Sequence, residues 1–529
     1  MKSIVLDGSS LSLEDAWLVA EEAMKISISA KALKRVERSY ELLMAGATSG
    51  TPVYGLTVGV GLNKDQKLFD ASGELSPEVM KASENFNRSM LRSHSAGVGA
   101  MMPDHLSRLS MVIRLNTLLQ GQAAVQPAVV ALYKEFLNQG ITPLIPSRGS
   151  MGEADIMLAS HVGLVMMGEW QANYQGETIT GKEALQKAGL KQLTPVGKDG
   201  LAILSTNSVS TAYAIAGARK VRQTLAVSPL VFGLSLEGLN GNIAPILPQP
   251  IKVRQFPLLK ETAETMREAL VGSYLWELNK KRPLQDPLSY RTTVYTLSEA
   301  QRALVDLDEM LTIQINSSDD NPSVIDDAEG EYKEFDQVAQ YFVEGDTISG
   351  GIFPSANFES LPVALAVQRL SLALGHISHN IIQRCLRLEE AEFTGLPRFL
   401  TVPENKGHGF GSLHVPIVAL HGEIMSLANP ISLNVQPVAG GVEDTGTNTL
   451  QAAQRLLEIN ESINYLYGVE LMHASQAIDL RMEESILPLG KETKPFFEAY
   501  REIVSFVKED RIFTIDIEAS KCFLENYQY

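Results

Sequence analysis

The 529 residues carry 45 Lys and Arg against 62 Asp and Glu, a formal net charge of −17, with 45% hydrophobic and 20% charged residues. That is the composition of a globular chain rather than a disordered or fibrous one. The acidic balance repels phosphate backbones and anionic membrane surfaces and no local basic patch offsets it, so no nucleic-acid partner is expected.

At the N-terminus the short apolar run Ile4-Val5-Leu6 breaks at Asp7, and Glu14, Asp15, Glu21 and Glu22 follow. This is unlike a secretory or organellar presequence, and cytoplasmic residence is expected. The longest weakly polar stretches, residues 156–168 and 225–236, end at Glu169 and Glu237 and are too short to span a bilayer, so no membrane span is expected. Thr51-Pro52-Val53-Tyr54 and Glu177-Thr178-Ile179-Thr180 are short β-like runs bounded by Gly or Pro, which makes any sheet minor. Tyr54 precedes Gly55, Gly59 and Gly61. Glycines there allow tight turns and close ligand approach, but the pattern is neither a dinucleotide fingerprint nor a P-loop. In Gly149-Ser150-Met151-Gly152-Glu153-Ala154-Asp155, Asp155 is placed to cap a helix running to Met167.

Gly and Pro punctuation thins beyond about residue 255, where helical periodicity takes over. Met266, Leu270, Tyr274 and Leu275 predict a helix over Thr262 to Lys280. Leu370, Leu374, Ile377 and Ile381 predict one over Glu359 to Glu390, and Leu450 to Met482 reads similarly. The second would be about 48 Å long, a length that suits a bundle. Leu365, Ala366, Leu372 and Ala373 make it apolar on more than one face, which suits a central position or an intersubunit seam. Arg291, just after the Pro turn of Gln285-Asp286-Pro287, is suited to clamping a carboxylate bidentately. Ser317 to Glu331, with Asp319-Asp320 and Asp326-Asp327, reads as a solvated acidic loop lacking EF-hand spacing. His376 with His379, and His408, His414 and His421, lack a carboxylate at zinc-helix spacing, so no metal is expected. Cys385 and Cys522 are too few for a disulfide framework and read as buried thiols.

In this order, the pieces resemble the histidine and phenylalanine ammonia-lyase family over residues 10 to 490. Tyr54-Gly55 with Gly59 and Gly61 resembles its catalytic tyrosine loop, and residues 91–99, Leu-Arg-Ser-His-Ser-Ala-Gly-Val-Gly, its selectivity segment. Arg114-Leu115-Asn116, Gln285-Asp286-Pro287 through Arg291, Asp320-Asn321-Pro322, Asn357-Phe358 and Glu443-Asp444 fall where the family's blocks fall. The resemblance implies a mainly α, long-helix bundle. Residues 1–205 would form a smaller loop-rich N-terminal region with the tyrosine loop and the altered electrophile segment, and residues 206–529 the central and C-terminal bundle. It also implies a homotetramer with each site assembled from several subunits.

One departure decides the chemistry. Family ammonia-lyases cyclise an Ala-Ser-Gly triplet into a methylidene-imidazolone electrophile. Between Gly152 and Asp155 stand only Glu153 and Ala154, one residue short and without a serine, so no cofactor is expected. Ser205 stands where the family usually has Asn, and Leu288 where it has a second Tyr. A substrate whose nitrogen is already quaternary leaves as a neutral amine without that electrophile and needs only a base and orientation. The resemblance then implies Tyr54 as the base for the β-proton, Arg291 on the substrate carboxylate, and Glu443 with His94 at an imidazole ring. Phe358, Tyr290 and Glu153 are candidates for the quaternary ammonium, and Lys64 and Lys406 for developing negative charge. Asn357 and Ser205 complete the expected substrate-binding set. Imidazole recognition beside a trimethylammonium leaving group resembles the electrophile-free, ergothionase branch of the family, acting on an amino acid betaine. The implied reaction takes ergothioneine to thiourocanate and trimethylamine, with hercynine as the alternative substrate and a histidine ammonia-lyase-like activity or a non-catalytic homologue as the alternative readings.

Overall fold

Helices Ser208–Leu239, Thr293–Ile315, Leu361–Leu388 and Thr449–Glu484 run for 32, 23, 28 and 36 residues in the computed structural model. The structure describes residues 3–48, 53–60, 63, 76–280, 282–345, 347–484 and 486–528. The class is mainly α. Leu361–Leu388 and Thr449–Glu484 fall where apolar periodicity predicts them: Leu370, Leu374, Ile377 and Ile381 are all buried, and Pro362 in the first turn costs no helical hydrogen bond. The helix expected over Thr262 to Lys280 is shorter. It spans Leu259–Ala269, after which Gly272 adopts a left-handed φ of +80° and a 3₁₀ turn, Tyr274–Trp276, follows. Glycine accepts that conformation without a Cβ clash, and the helix stops before it.

Packing divides the chain into two compact units. One comprises residues 1–216, 308–365 and 431–453, the other 217–307, 366–430 and 454–529. Every boundary except that at residue 430 falls inside one of the four long helices.

All strands of the described residues belong to the first unit. Ile4–Leu6 pairs in parallel with Ile26–Ile28, Val98–Met101 pairs antiparallel with Pro146–Arg148, and Glu177–Thr180 pairs with Gln171–Tyr174. Ser323–Asp326 and Phe342–Glu344 flank Ser349–Phe353 in a three-stranded antiparallel sheet. Leu42 and Leu43 of helix Ala30–Thr48 share one core cluster with Val324, Val343 and Ile352 of this sheet and with Val53 and Leu56. Burial of Val53 and Leu56 anchors the turn that carries Tyr54.

The expectation of a solvated loop at Asp319-Asp320 is overturned. Both are 1% exposed or less, and Arg114 on helix Asp104–Leu118 binds them through Nη1 to Asp319 Oδ1 at 2.5 Å and Nη2 to Asp320 Oδ1 at 2.9 Å. Burial works against the guanidinium charge, and the two carboxylates outweigh it. The segment also contains the strand Ser323–Asp326. Lys198, fully buried, donates to Pro322 O at 2.6 Å, and burial pushes its pKa down to about 8.

The regular elements among the described residues of the second unit are helices, joined by turns and loops. Its centre holds the buried bidentate pair of Arg384 with Glu470, at 2.5 and 2.7 Å, and Thr224 Oγ1 beside Asn460 and Asn464. Leu361–Leu388 is long and apolar enough to cross a membrane, but 67% of its most apolar window is buried inside the protein, as in a core helix. Its remaining face exposes Leu361, Leu365 and Leu372. Of the two cysteines expected to be buried, Cys385 is and Cys522 is exposed.

Candidate active site

In the first unit, four segments meet at the stretch where the sequence lacks the Ala-Ser-Gly triplet. Thr447 N and Asn448 N donate to Met151 O at 3.0 and 2.8 Å, while Ser360 Oγ and Thr447 Oγ1 donate to Gly152 O at 2.7 and 3.0 Å. Gly152 has a φ of +96°, and a Cβ there would lie 2.1 Å from Thr447 Oγ1. Only glycine fits. The next residue, Glu153, forms an isolated antiparallel bridge with Glu359. Ala154 N donates to Asn207 Oδ1 at 3.1 Å, and Asn207 Nδ2 donates to Phe358 O at 2.5 Å. One buried amide thus holds the strand bearing Glu153 to the strand bearing Phe358 and Glu359. Asn207 is fixed in turn, because its own N–H and Thr206 Oγ1 donate to Asp319 Oδ2 at 2.9 and 2.7 Å, and Asp319 is the partner of Arg114.

Ala154 adopts a left-handed φ of 70°, a strained conformation for a residue with a Cβ, of order 1 kcal/mol. Asp155 precedes helix Ile156–Met166 but makes no side-chain cap bond to it, contrary to the sequence expectation. Its Oδ2 instead accepts from Ser210 N and Oγ at 2.8 and 3.0 Å, because the carboxylate is enclosed on the Ser210 side.

Glu153 is the electrostatic centre of this region. Its Oε1 is buried without a hydrogen-bond partner among the described residues. Burial, then Glu359, then Glu443 push its carboxyl up to about 7. A solvated helix terminus would do neither. Glu443 is half-buried, and its carbonyl accepts from Val438 N at 2.9 Å. Ser205 is buried at the end of helix Asp199–Leu204. Asn357 donates from Nδ2 to Ser323 Oγ at 2.9 Å.

Tyr54 is half-buried in a tight turn, bridged to Val58. Gly55 follows with a φ of +73°, its Cα face against Leu201. His94 ends helix Pro77–His94, with Nδ1 2.8 Å from Met90 O. A carbonyl only accepts, so in the neutral ring Nδ1 carries the hydrogen and Nε2 presents a lone pair.

Tyr290, Arg291 and Lys406 belong to the second unit. The Tyr290 ring is 3% exposed, packs on Phe232 and places its hydroxyl 3.2 Å from Ser235 Oγ. Burial raises that phenol well above its ordinary range. Arg291 is half-buried. Its Nε donates to Asp286 O at 2.8 Å, and Nη1 and Nη2 have no hydrogen-bond partner among the described residues. That edge is the one a carboxylate would take bidentately. Lys406 is exposed and donates to Pro403 O at 2.7 Å. Lys64 lies outside the described residues.

Asn207 and Glu359 are additions that sequence reasoning missed. Glu359 adjoins the motif residues Asn357 and Phe358, which is the signal that pointed nearest to it.

The methylidene-imidazolone group of the related ammonia-lyases does not fit here. No serine follows Gly152, the Glu153 carboxyl occupies the stretch, and the one serine of that segment, Ser150, precedes Gly152 and accepts from its N at 3.2 Å. No step is derived through it.

The sequence profile of aromatic amino acid lyases matches residues 11–502. A histidine ammonia-lyase from Treponema denticola is 30% identical over 522 residues, 98% of this chain and 96% of that protein. Among solved structures, ergothionase from Treponema denticola, in complex with desmethyl-ergothioneine sulfonic acid, is 35% identical, with a TM-score of 0.89 over 99% of both chains. Tyrosine aminomutase from Streptomyces globisporus is 26% identical, with a TM-score of 0.85 over 99% of this chain and 97% of that one.

Proposed function

The chain belongs to the aromatic amino acid lyase family and is a carbon–nitrogen lyase; from that premise we propose that it eliminates trimethylamine from ergothioneine to give thiourocanate, without a methylidene-imidazolone group. The observation that carries the reading is Glu153. Where family members build an electrophile to activate a poor amino leaving group, this chain has a carboxyl with an unpartnered buried oxygen. A carboxylate attracts a quaternary ammonium and does not activate a primary amine as a leaving group.

In this mechanism Tyr54, as phenolate, takes the β-proton, the electron pair forms the Cα–Cβ double bond, and the Cα–N bond breaks. Trimethylamine leaves as a neutral base. Arg291 holds the substrate carboxylate through its free guanidinium edge. His94 Nε2 accepts from a ring N–H, and Glu443 takes the other side of the imidazole. An aromatic face for the cation is assigned to Phe358. Tyr290 is buried and packs on Phe232. Asn357 and Ser205 line the substrate, and Lys64 and Lys406 stabilise charge developing on the carboxylate or ring. The active form is a homotetramer whose sites draw residues from several subunits, and the exposed apolar row Leu361, Leu365 and Leu372 is suited to a second copy. Residence is cytoplasmic.

Similarity to ergothionase at 35% identity supports the betaine substrate, while the histidine ammonia-lyase relatives point to the same imidazole part. Hercynine, the betaine without sulfur, is the alternative. Intact-mass measurement tests the electrophile-free part. The chain is expected at its sequence mass, and loss of water would overturn the reading.

A further inference from the structure

Glu153 and Glu359 stand directly opposite each other across an antiparallel bridge. Residues so placed point to the same side with Cβ atoms about 5 Å apart, and two like charges there oppose folding. The fold nevertheless enforces the arrangement. Asn207 joins the two strands from inside, at Ala154 N and Phe358 O, and is itself locked to Asp319. Glu359 is also oriented locally, since its Oε1 accepts from Leu361 N at 2.7 Å. Glu153 keeps a buried oxygen that bonds to nothing among the described residues. A repulsive pair, with Glu359 exposed and held by Leu361 N and Glu153 keeping a buried oxygen without a partner among the described residues, is suited to a cation.

We propose that Glu359 is a specificity-determining residue of the lyase site, forming with Glu153 the carboxyl pair that takes the permanently charged trimethylammonium head of the substrate. The inference rests on the betaine reading above and names a residue that reading leaves without a role. A trimethylammonium group donates no conventional hydrogen bond, so its recognition depends on charge and shape. That explains an anionic oxygen without a donor beside it.

A proton exchange follows. The charged groups bearing on Glu153 are Glu359 and Glu443, both acidic, and with burial they push its carboxyl up to about 7. Asp155, two residues on, is turned to Ser210. The empty pair therefore holds a proton near neutral pH and releases it to solvent when the cation arrives. Because the cation prefers the ionised pair, affinity rises as pH passes upward through about 7 and levels off above it.

The test follows trimethylamine release from ergothioneine between pH 6 and 8 by the unmodified protein, Glu359→Gln and Glu359→Asp. For the unmodified protein 1/KM is expected to rise about tenfold over that range, as a single ionisation at its midpoint requires. Glu359→Gln is expected to raise KM at pH 8 about tenfold, to move the pH midpoint downward while burial and Glu443 keep it above the ordinary carboxyl range, and to keep kcat within about threefold. Glu359→Asp restores most of the KM. An unchanged KM and an unchanged pH profile in Glu359→Gln would overturn the proposal. If the unmodified protein releases no trimethylamine, the betaine reading fails first, and tetramethylammonium chloride then tests the pair alone. Supporting it would be a rise in unfolding temperature beyond that given by equal sodium chloride, lost in Glu359→Gln; equal responses of the two proteins would refute it.

Discussion

Replacing Asn207 with Ala removes both ends of the clamp between the Glu153 and Phe358 strands. The side chain is 1% exposed and makes hydrogen bonds of 3.1 Å to Ala154 N and 2.5 Å to Phe358 O. A buried polar group left unpaired costs about 1–3 kcal/mol. The Ala154 amide is enclosed and the Phe358 carbonyl partly so, which gives a loss of about 2–4 kcal/mol. Asn207→Asp keeps an acceptor for Ala154 N but sets a buried carboxylate oxygen against Phe358 O, and should cost more than Ala because the charge is left unpaired. Urea unfolding measured by fluorescence gives the order of stabilities, and the KM for ergothioneine gives the effect on the site. Both should worsen in the order Asn, Ala, Asp. An Asn207→Ala protein within about 0.5 kcal/mol of the original, with unchanged KM, would refute the clamp.

Arg114→Leu leaves Asp319 and Asp320 buried without their cation, a loss of about 3–5 kcal/mol that should appear as insoluble protein or an early urea transition; normal stability would contradict the assignment of this network as internal. The Glu153 carboxyl is raised from its ordinary 4.5 to about 7, so the folded state binds its proton more tightly than the unfolded state does. The stability this contributes is full below pH 4.5 and is lost as pH rises through about 7. Glu153→Gln should therefore stabilise the protein at pH 8 by about 1 kcal/mol, after allowance for solvent screening, and not at pH 4. A pH-independent difference between the two proteins in urea unfolding would contradict this.

Apolar periodicity was enough to locate Leu361–Leu388 and Thr449–Glu484, because their buried faces repeat every three to four residues. The same signal ran past Ala269, since Tyr274 and Leu275 are buried in a 3₁₀ turn and burial alone does not distinguish helix from turn. Asp319 and Asp320 look solvated in sequence because their partner, Arg114, is 205 and 206 residues away. The ordered motifs gave the family and pointed to Glu153 through the missing triplet. Glu359 was invisible because its importance depends on a strand pairing between residues 206 positions apart, and Asn207 because its amide links segments from opposite parts of the unit.

Elimination without the family's electrophile is tested most directly by giving the purified protein ergothioneine, hercynine and histidine in parallel and measuring both trimethylamine and ammonia. Trimethylamine from ergothioneine, with no ammonia from histidine, is the predicted result. Ammonia from histidine would contradict the account.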